Sequence, residues 1–193
     1  MAFIAKTAFE ARITNNDRDN LANVAGKFYS SDAVADCSAG FLCTRDTLLA
    51  NEGFTGVNNE NTWKMIAATA SADIDDVVYA CNPYDWPLLS NGKNTWAVGH
   101  ETLGLGVPSG RYGNFTAIKF DGQHVYRFGE GNVTVNTTGD KFFTIANGLL
   151  TSVTAEPSTA GKIYFALRGT GNFVEGNGLS FGYYDLEARK VTA

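Results

Sequence analysis

Apolar and polar positions alternate over short stretches of this chain, and Gly, Asn, Asp or Pro interrupts the alternation about every ten residues. Residues 34–44, 62–68, 77–81 and 162–167 are β-branched, aromatic or small-residue runs bounded by turn formers, and each predicts a strand. Three dipeptides predict two-residue hairpin turns: Asp121-Gly122 between alternating runs, Asn147-Gly148 after Phe142-Phe-Thr-Ile-Ala, and Asn177-Gly178 after Phe173-Val-Glu-Gly. Residues 82–87, with Pro83 and Pro87, must leave regular structure, because proline cannot donate to a ladder. The pattern predicts an all-β fold, a sandwich or small barrel built from hairpins.

The first thirty residues differ. Phe3, Ile4, Phe9 and Ile13 fit neither a helix face nor strict alternation, and the polar cluster Asn15-Asn16-Asp17-Arg18-Asp19-Asn20 follows. This predicts an extended arm over 1–30, with a short helical turn over 21–29, and a β-rich domain over 31–193; a subdivision of that domain near Pro108 stays open. An arm cannot bury its aromatics alone, so it either packs along its own domain or docks on a neighbouring subunit. The candidate partner-binding residues are Phe3, Ile4, Phe9, Arg12 and Ile13, with Trp86 from the domain.

Composition narrows the function classes. Lys+Arg is 15 against Asp+Glu 20, so no basic excess exists to neutralise a phosphate backbone, and nucleic acid is not an expected partner. No apolar run approaches the ~18 residues of a membrane span, and Lys6, Glu10 and Arg12 interrupt any secretory core, which predicts synthesis in a cytosol. Cys37, Cys43 and Cys81 read as free buried thiols, with a Cys37–Cys43 bridge as the alternative. The sequons at Asn114, Asn132 and Asn136 read as surface asparagines and strand threonines.

Chemistry finds little purchase. Cys81 pairs on paper with His100 or His124, but Val77-Val-Tyr-Ala-Cys81 is an ordinary apolar strand in which a thiol is inert. Zinc-ligand spacing, a Gly-x-Ser-x-Gly elbow and a P-loop are absent, and Asp73-Ile-Asp-Asp76 is only a fragment of a calcium loop, so no cofactor or metal is expected. Asp85, Glu101, Glu130 and Glu175 could each serve a glycosidase pair, yet no feature selects two of them. Trp63, Tyr84, Trp86, Trp96 and Tyr112, set among Asn and Gly, have the composition of a sugar-stacking platform, but with no cluster at strand-face spacing a core or subunit interface is the favoured reading. Phe128-Gly-Glu130-Gly-Asn132 is echoed by Phe173-Val-Glu175-Gly-Asn177. The echo reads as strand ends with a bulge, or as two loops held by glutamates that accept backbone hydrogen bonds.

Taken across its whole length, the start Met1-Ala-Phe-Ile-Ala-Lys-Thr-Ala-Phe-Glu-Ala-Arg12, followed by a Gly/Thr/Asn-rich, hairpin-dense domain without a catalytic set, resembles tailed-bacteriophage virion structural proteins of the capsid decoration or head auxiliary type. The resemblance implies a non-enzymatic protein made in the host cytoplasm and carried in the virion. It implies the major capsid protein as partner and self-association around symmetry axes. The alternative is a carbohydrate- or host-receptor-binding β-module of a virion.

Overall fold

The computed structural model describes residues 4–12, 23–49, 62–69, 77–82, 106–174 and 180–192. The protein is all-β. Its strands are β1 (Phe9–Arg12), β2 (Asn23–Ser30), β3 (Ala33–Val34), β4 (Leu42–Leu48), β5 (Thr62–Ala67), β6 (Tyr79–Cys81), β7 (Gly113–Ala117), β8 (Val125–Gly129), β9 (Val133–Thr134), β10 (Phe142–Ala146), β11 (Leu149–Val153), β12 (Ile163–Val174) and β13 (Ser180–Lys190). A 3-10 turn, Glu130–Asn132, joins β8 to β9.

Five strands close into a barrel. β2 runs parallel to β5, antiparallel pairs link β5 to β4, β4 to β6 and β6 to β7, and β7 returns to β2, while β3 hairpins onto the end of β2. Closure satisfies the backbone groups that an open edge would leave exposed. The remaining strands form a seven-stranded sheet in the order β1-β8-β13-β12-β10-β11-β9, antiparallel except where β11 meets β9.

Alternation along β4 and β6 explains how the two units share a core. Cys43 and Cys81 join Phe28, Met65 and Phe115 in the barrel core. Their chain neighbours Leu42 and Ala80 join Phe128, Phe165 and Leu186 of the seven-stranded sheet in the other. Successive strand residues face opposite sides, so the barrel wall at β4 and β6 separates the cores and the sheet lies against its outside. A strand buried on both faces needs a continuous apolar run, which is what residues 77–81 supply. The β10–β11 turn rivets the units together: Leu42 N–H donates to the Gly148 carbonyl and Gly148 N–H to the Ala68 carbonyl, both at 2.8 Å.

Several expectations change. Residues 23–30 are β2, a barrel strand, so the predicted helical turn over 21–29 and the arm boundary at 30 are both corrected; Ser31 and Asp32, at positive φ, turn β2 into β3. Val24 and Phe28 suit a helical spacing of four as well as alternation, and Gly26 hid the inward position between them. A Cβ at Gly26 would lie 2.6 Å from Met65, so glycine there lets β5 pass. Asn147-Gly148 forms its predicted turn, with φ of 49° and 80°. Asp121-Gly122 does not. Only Gly122 has positive φ, and Asp121 Oδ1 accepts from the backbone N–H groups of Gln123 and His124, making a side-chain-closed turn between β7 of the barrel and β8 of the sheet. The chain therefore crosses between units after Ala117 and not near Pro108, whose neighbour Val107 is still bridged to Cys37. β12 and β13 pair antiparallel up to Val174 and Ser180, and the turn predicted at Asn177-Gly178 lies outside the described residues. The three cysteines are free, with the Cys37 and Cys43 sulfurs 4.0 Å apart.

Candidate functional site: the seat of the N-terminal segment

The Phe128-Gly-Glu-Gly-Asn132 stretch builds a seat for residues 4–9. Gly129 N–H donates to the Ala8 carbonyl at 3.1 Å and Gly131 N–H to the Lys6 carbonyl at 2.9 Å. A Cβ at Gly129 would lie 2.4 Å from the Lys6 oxygen, and one at Gly131 would lie 2.0 Å from the Ala5 oxygen, so only glycine admits a second backbone this close. Asn132, 1% exposed, uses both ends of its amide: Oδ1 accepts from Ala8 N–H at 3.0 Å and Nδ2 donates to the Ala39 carbonyl at 2.8 Å. On the opposite wall Ser38 Oγ accepts from Ile4 N–H at 2.8 Å, and Gly40, at φ 75°, lies where a Cβ would meet the Ala8 oxygen at 2.7 Å. The segment is thus held between a barrel loop and the end of β8.

Two apolar anchors flank these hydrogen bonds. Ile4 packs against the barrel core, and Phe9 is buried in the other core, 5.5 Å from the Phe128 ring and 6.1 Å from Tyr126. Burying a side chain of this size contributes about 1.5–3 kcal/mol. Glu130 adds a polar clasp: Oε1 pairs with Lys6 Nζ at 2.6 Å and Oε2 accepts from Gly182 N–H at 2.8 Å. The Lys6 hydrogen bond, followed by that of Gly182, holds the Glu130 carboxyl below its ordinary value. Lys6 itself is at φ 58°, the left-handed region that a lysine rarely adopts.

No family model, characterised protein or solved structure matches this chain.

Beside the seat, the face of the seven-stranded sheet that carries Glu10, Arg127 and Asp185 on neighbouring strands points away from the Phe128 core. Arg127 makes a two-pronged pair with Asp185, Nε to Oδ1 at 2.8 Å and Nη2 to Oδ2 at 2.9 Å, and lies 3.7 Å from Glu10. Its guanidinium stacks 3.6 Å from the Tyr183 ring centre, and Phe173 lies 5.0 Å from both Tyr183 and Phe181. Gly171, opposite Tyr183, leaves room for the ring: a Cβ there would be 2.4 Å from the Tyr183 oxygen. The hydrogen bonds that Arg127 donates to Asp185 raise its pKa, so its charge is permanent.

Of the residues expected to bind a partner, Ile4 and Phe9 instead anchor the segment to its own chain, and Arg12 ends β1 opposite Val125. Phe3, Ile13 and Trp86 lie outside the described residues, as do His100, Tyr84, Trp96, Asp85, Glu101 and Glu175. Glu130 accepts a backbone hydrogen bond, as one reading of the Phe-x-Glu-Gly-Asn echo expects. Asn132, read as a surface residue, is buried, and the echo was the sequence signal for it. Cys81 belongs to the barrel core, while His124 stacks on Tyr126 of the other and takes Asp121 at Nδ1, 2.7 Å away. Burial pushes the Asp121 carboxyl up, but hydrogen bonds from His124 and two backbone N–H groups outweigh it and leave the pKa lowered. Burial raises the Cys37 and Cys43 thiols, which keeps them protonated and inert. Trp63 and Tyr112 each carry a cation over one ring face, Arg45 at 4.6 Å and Lys27 at 4.3 Å, which occupies a face that a sugar would need. No cluster of three or more metal-ligating side chains occurs among the described residues.

Proposed function

We propose that the protein is a non-enzymatic structural component of a virion that binds the assembled capsid shell, with the Arg127–Tyr183–Phe173–Phe181 face of the seven-stranded sheet as its contact surface. The observation that carries this reading is the composition of that face. Arginine and aromatic side chains dominate protein interfaces, and here they are preorganised by stacking and by the Asp185 pair on a face turned away from the core. The N-terminal segment contributes by fixing β1 and its Glu10 beside this patch.

Co-sedimentation with assembled particles tests the proposal. Wild type should be present in purified particles at a fixed ratio to the shell protein, and the double variant Phe173→Ala/Phe181→Ala should fold yet sediment with particles at least tenfold less, a loss of about 1.4 kcal/mol. Absence of the wild-type chain from particles would overturn the proposal; undiminished binding of the double variant would move the contact off this face. Saturable binding on a glycan array would favour the carbohydrate reading instead.

A further inference from the structure

The contacts that hold residues 4–9 are long-range. Ser38 and Asn132 stand 34 and 124 residues from the groups they bind, so the seat recognises a segment and is indifferent to the covalent route by which it arrives. The next strand, β2, belongs to the barrel and not to the sheet that β1 completes. Ten residues, 13–22, join them, and a chain of that length can span up to about 35 Å. The middle of that link, Asn15 to Asn20, is six consecutive polar or charged residues.

We infer that the seat also accepts an extended peptide in trans, and that its partner is residues 4–12 of a second copy of this chain. The exchanged segment makes the same bonds it makes at home: two backbone hydrogen bonds to Gly129 and Gly131, the Asn132 amide at Ala8, the Lys6–Glu130 pair, and the Ile4 and Phe9 anchors. Exchange is therefore nearly neutral in contact energy and is decided by local concentration, which assembly on any repeating surface raises. It requires only two copies and does not depend on a capsid.

Lys6 Nζ and Glu130 Oε1, 2.6 Å apart, provide a zero-length cross-link site for a carbodiimide, which condenses the amine with the carboxylate to an amide and releases water to the reagent as a urea. Natural-abundance and 15N-labelled full-length chains are unfolded together, refolded at a series of concentrations and cross-linked, and the isotopes of the Lys6–Glu130 peptide are read by mass spectrometry. The Lys64–Asp46 pair, 3.1 Å apart within the barrel, is the internal control. Mixed-isotope Lys6–Glu130 amides whose share rises with concentration, with like-isotope amides only at Lys64–Asp46, are expected. Like-isotope Lys6–Glu130 amides at every concentration would overturn the exchange, mixed isotopes at both pairs would reduce it to non-specific collision, and no Lys6–Glu130 amide at all would remove the seat on which it rests.

Discussion

At Gly129 and Gly131 a missing side chain is the functional group, because the space a Cβ would fill is taken by the carbonyls of Lys6 and Ala5. Gly131→Val should destabilise the fold by about 1–3 kcal/mol and expose the Lys6 bond to trypsin, read by thermal melting and limited proteolysis. Asn132→Ala strips partners from a buried N–H and a buried carbonyl, and the expected loss is about 2–4 kcal/mol by denaturant titration. Glu130 yields a pH signature. Its folded pKa is lowered, so its stabilisation is present above the ordinary value of 4.5 and is lost as pH falls through the folded value. The stability gap between wild type and Glu130→Gln should be open at neutral pH and close in acid; a gap that is constant with pH would contradict the Lys6 clasp. The same dipeptide class read from sequence had two outcomes at this scale. Asn147-Gly148 was legible because both residues take positive φ, whereas the Asp121 carboxylate accepted two backbone N–H groups and made a different turn, a choice that pattern alone does not encode.

Among the elements, the longest strands carry the least uniform support. β12 is flanked on both sides near Phe165 and Ala166, but its described residues beyond Leu167 pair only with β13, past an irregularity between Leu167 and Gly169. Amide exchange should therefore be fast along 169–174 and slow along 163–167. Gly182, on the partner strand, is the exception: its N–H is held by Glu130 and should lose protection in Glu130→Ala, read by hydrogen-exchange NMR. Strands β5, β6 and the start of β12 were legible because burial imposes alternation or a continuous apolar run. β2 was not, since Gly26 contributes an inward position without a side chain. β1 was not, because four residues at a sheet edge give too short a pattern, and Phe9 and the preceding Ile4 serve two different cores.

For the whole molecule, Leu42 and Ala80 of the barrel pack in the core of the seven-stranded sheet, so the barrel and the sheet are expected to unfold as one cooperative unit. Trp63 lies in β5 of the barrel and its fluorescence reports that unit, whereas far-ultraviolet circular dichroism reports both. Denaturant curves followed by the two probes should coincide; separate midpoints would mean that the shared core does not couple them. The all-β class was readable from turn chemistry and alternation. The barrel closure was not, because the parallel β2–β5 pair and the return of β7 to β2 join segments whose meeting depends on tertiary packing.

The 124-residue separation between Ala8 and the asparagine that fixes it also has a meaning in time. At a synthesis rate of about 5–20 residues per second, the first strand leaves the ribosome roughly 6–25 seconds before its seat is made. The segment emerges well before the residues that fix it, so during synthesis each newborn chain presents neighbours on the same message with a strand that has no seat yet.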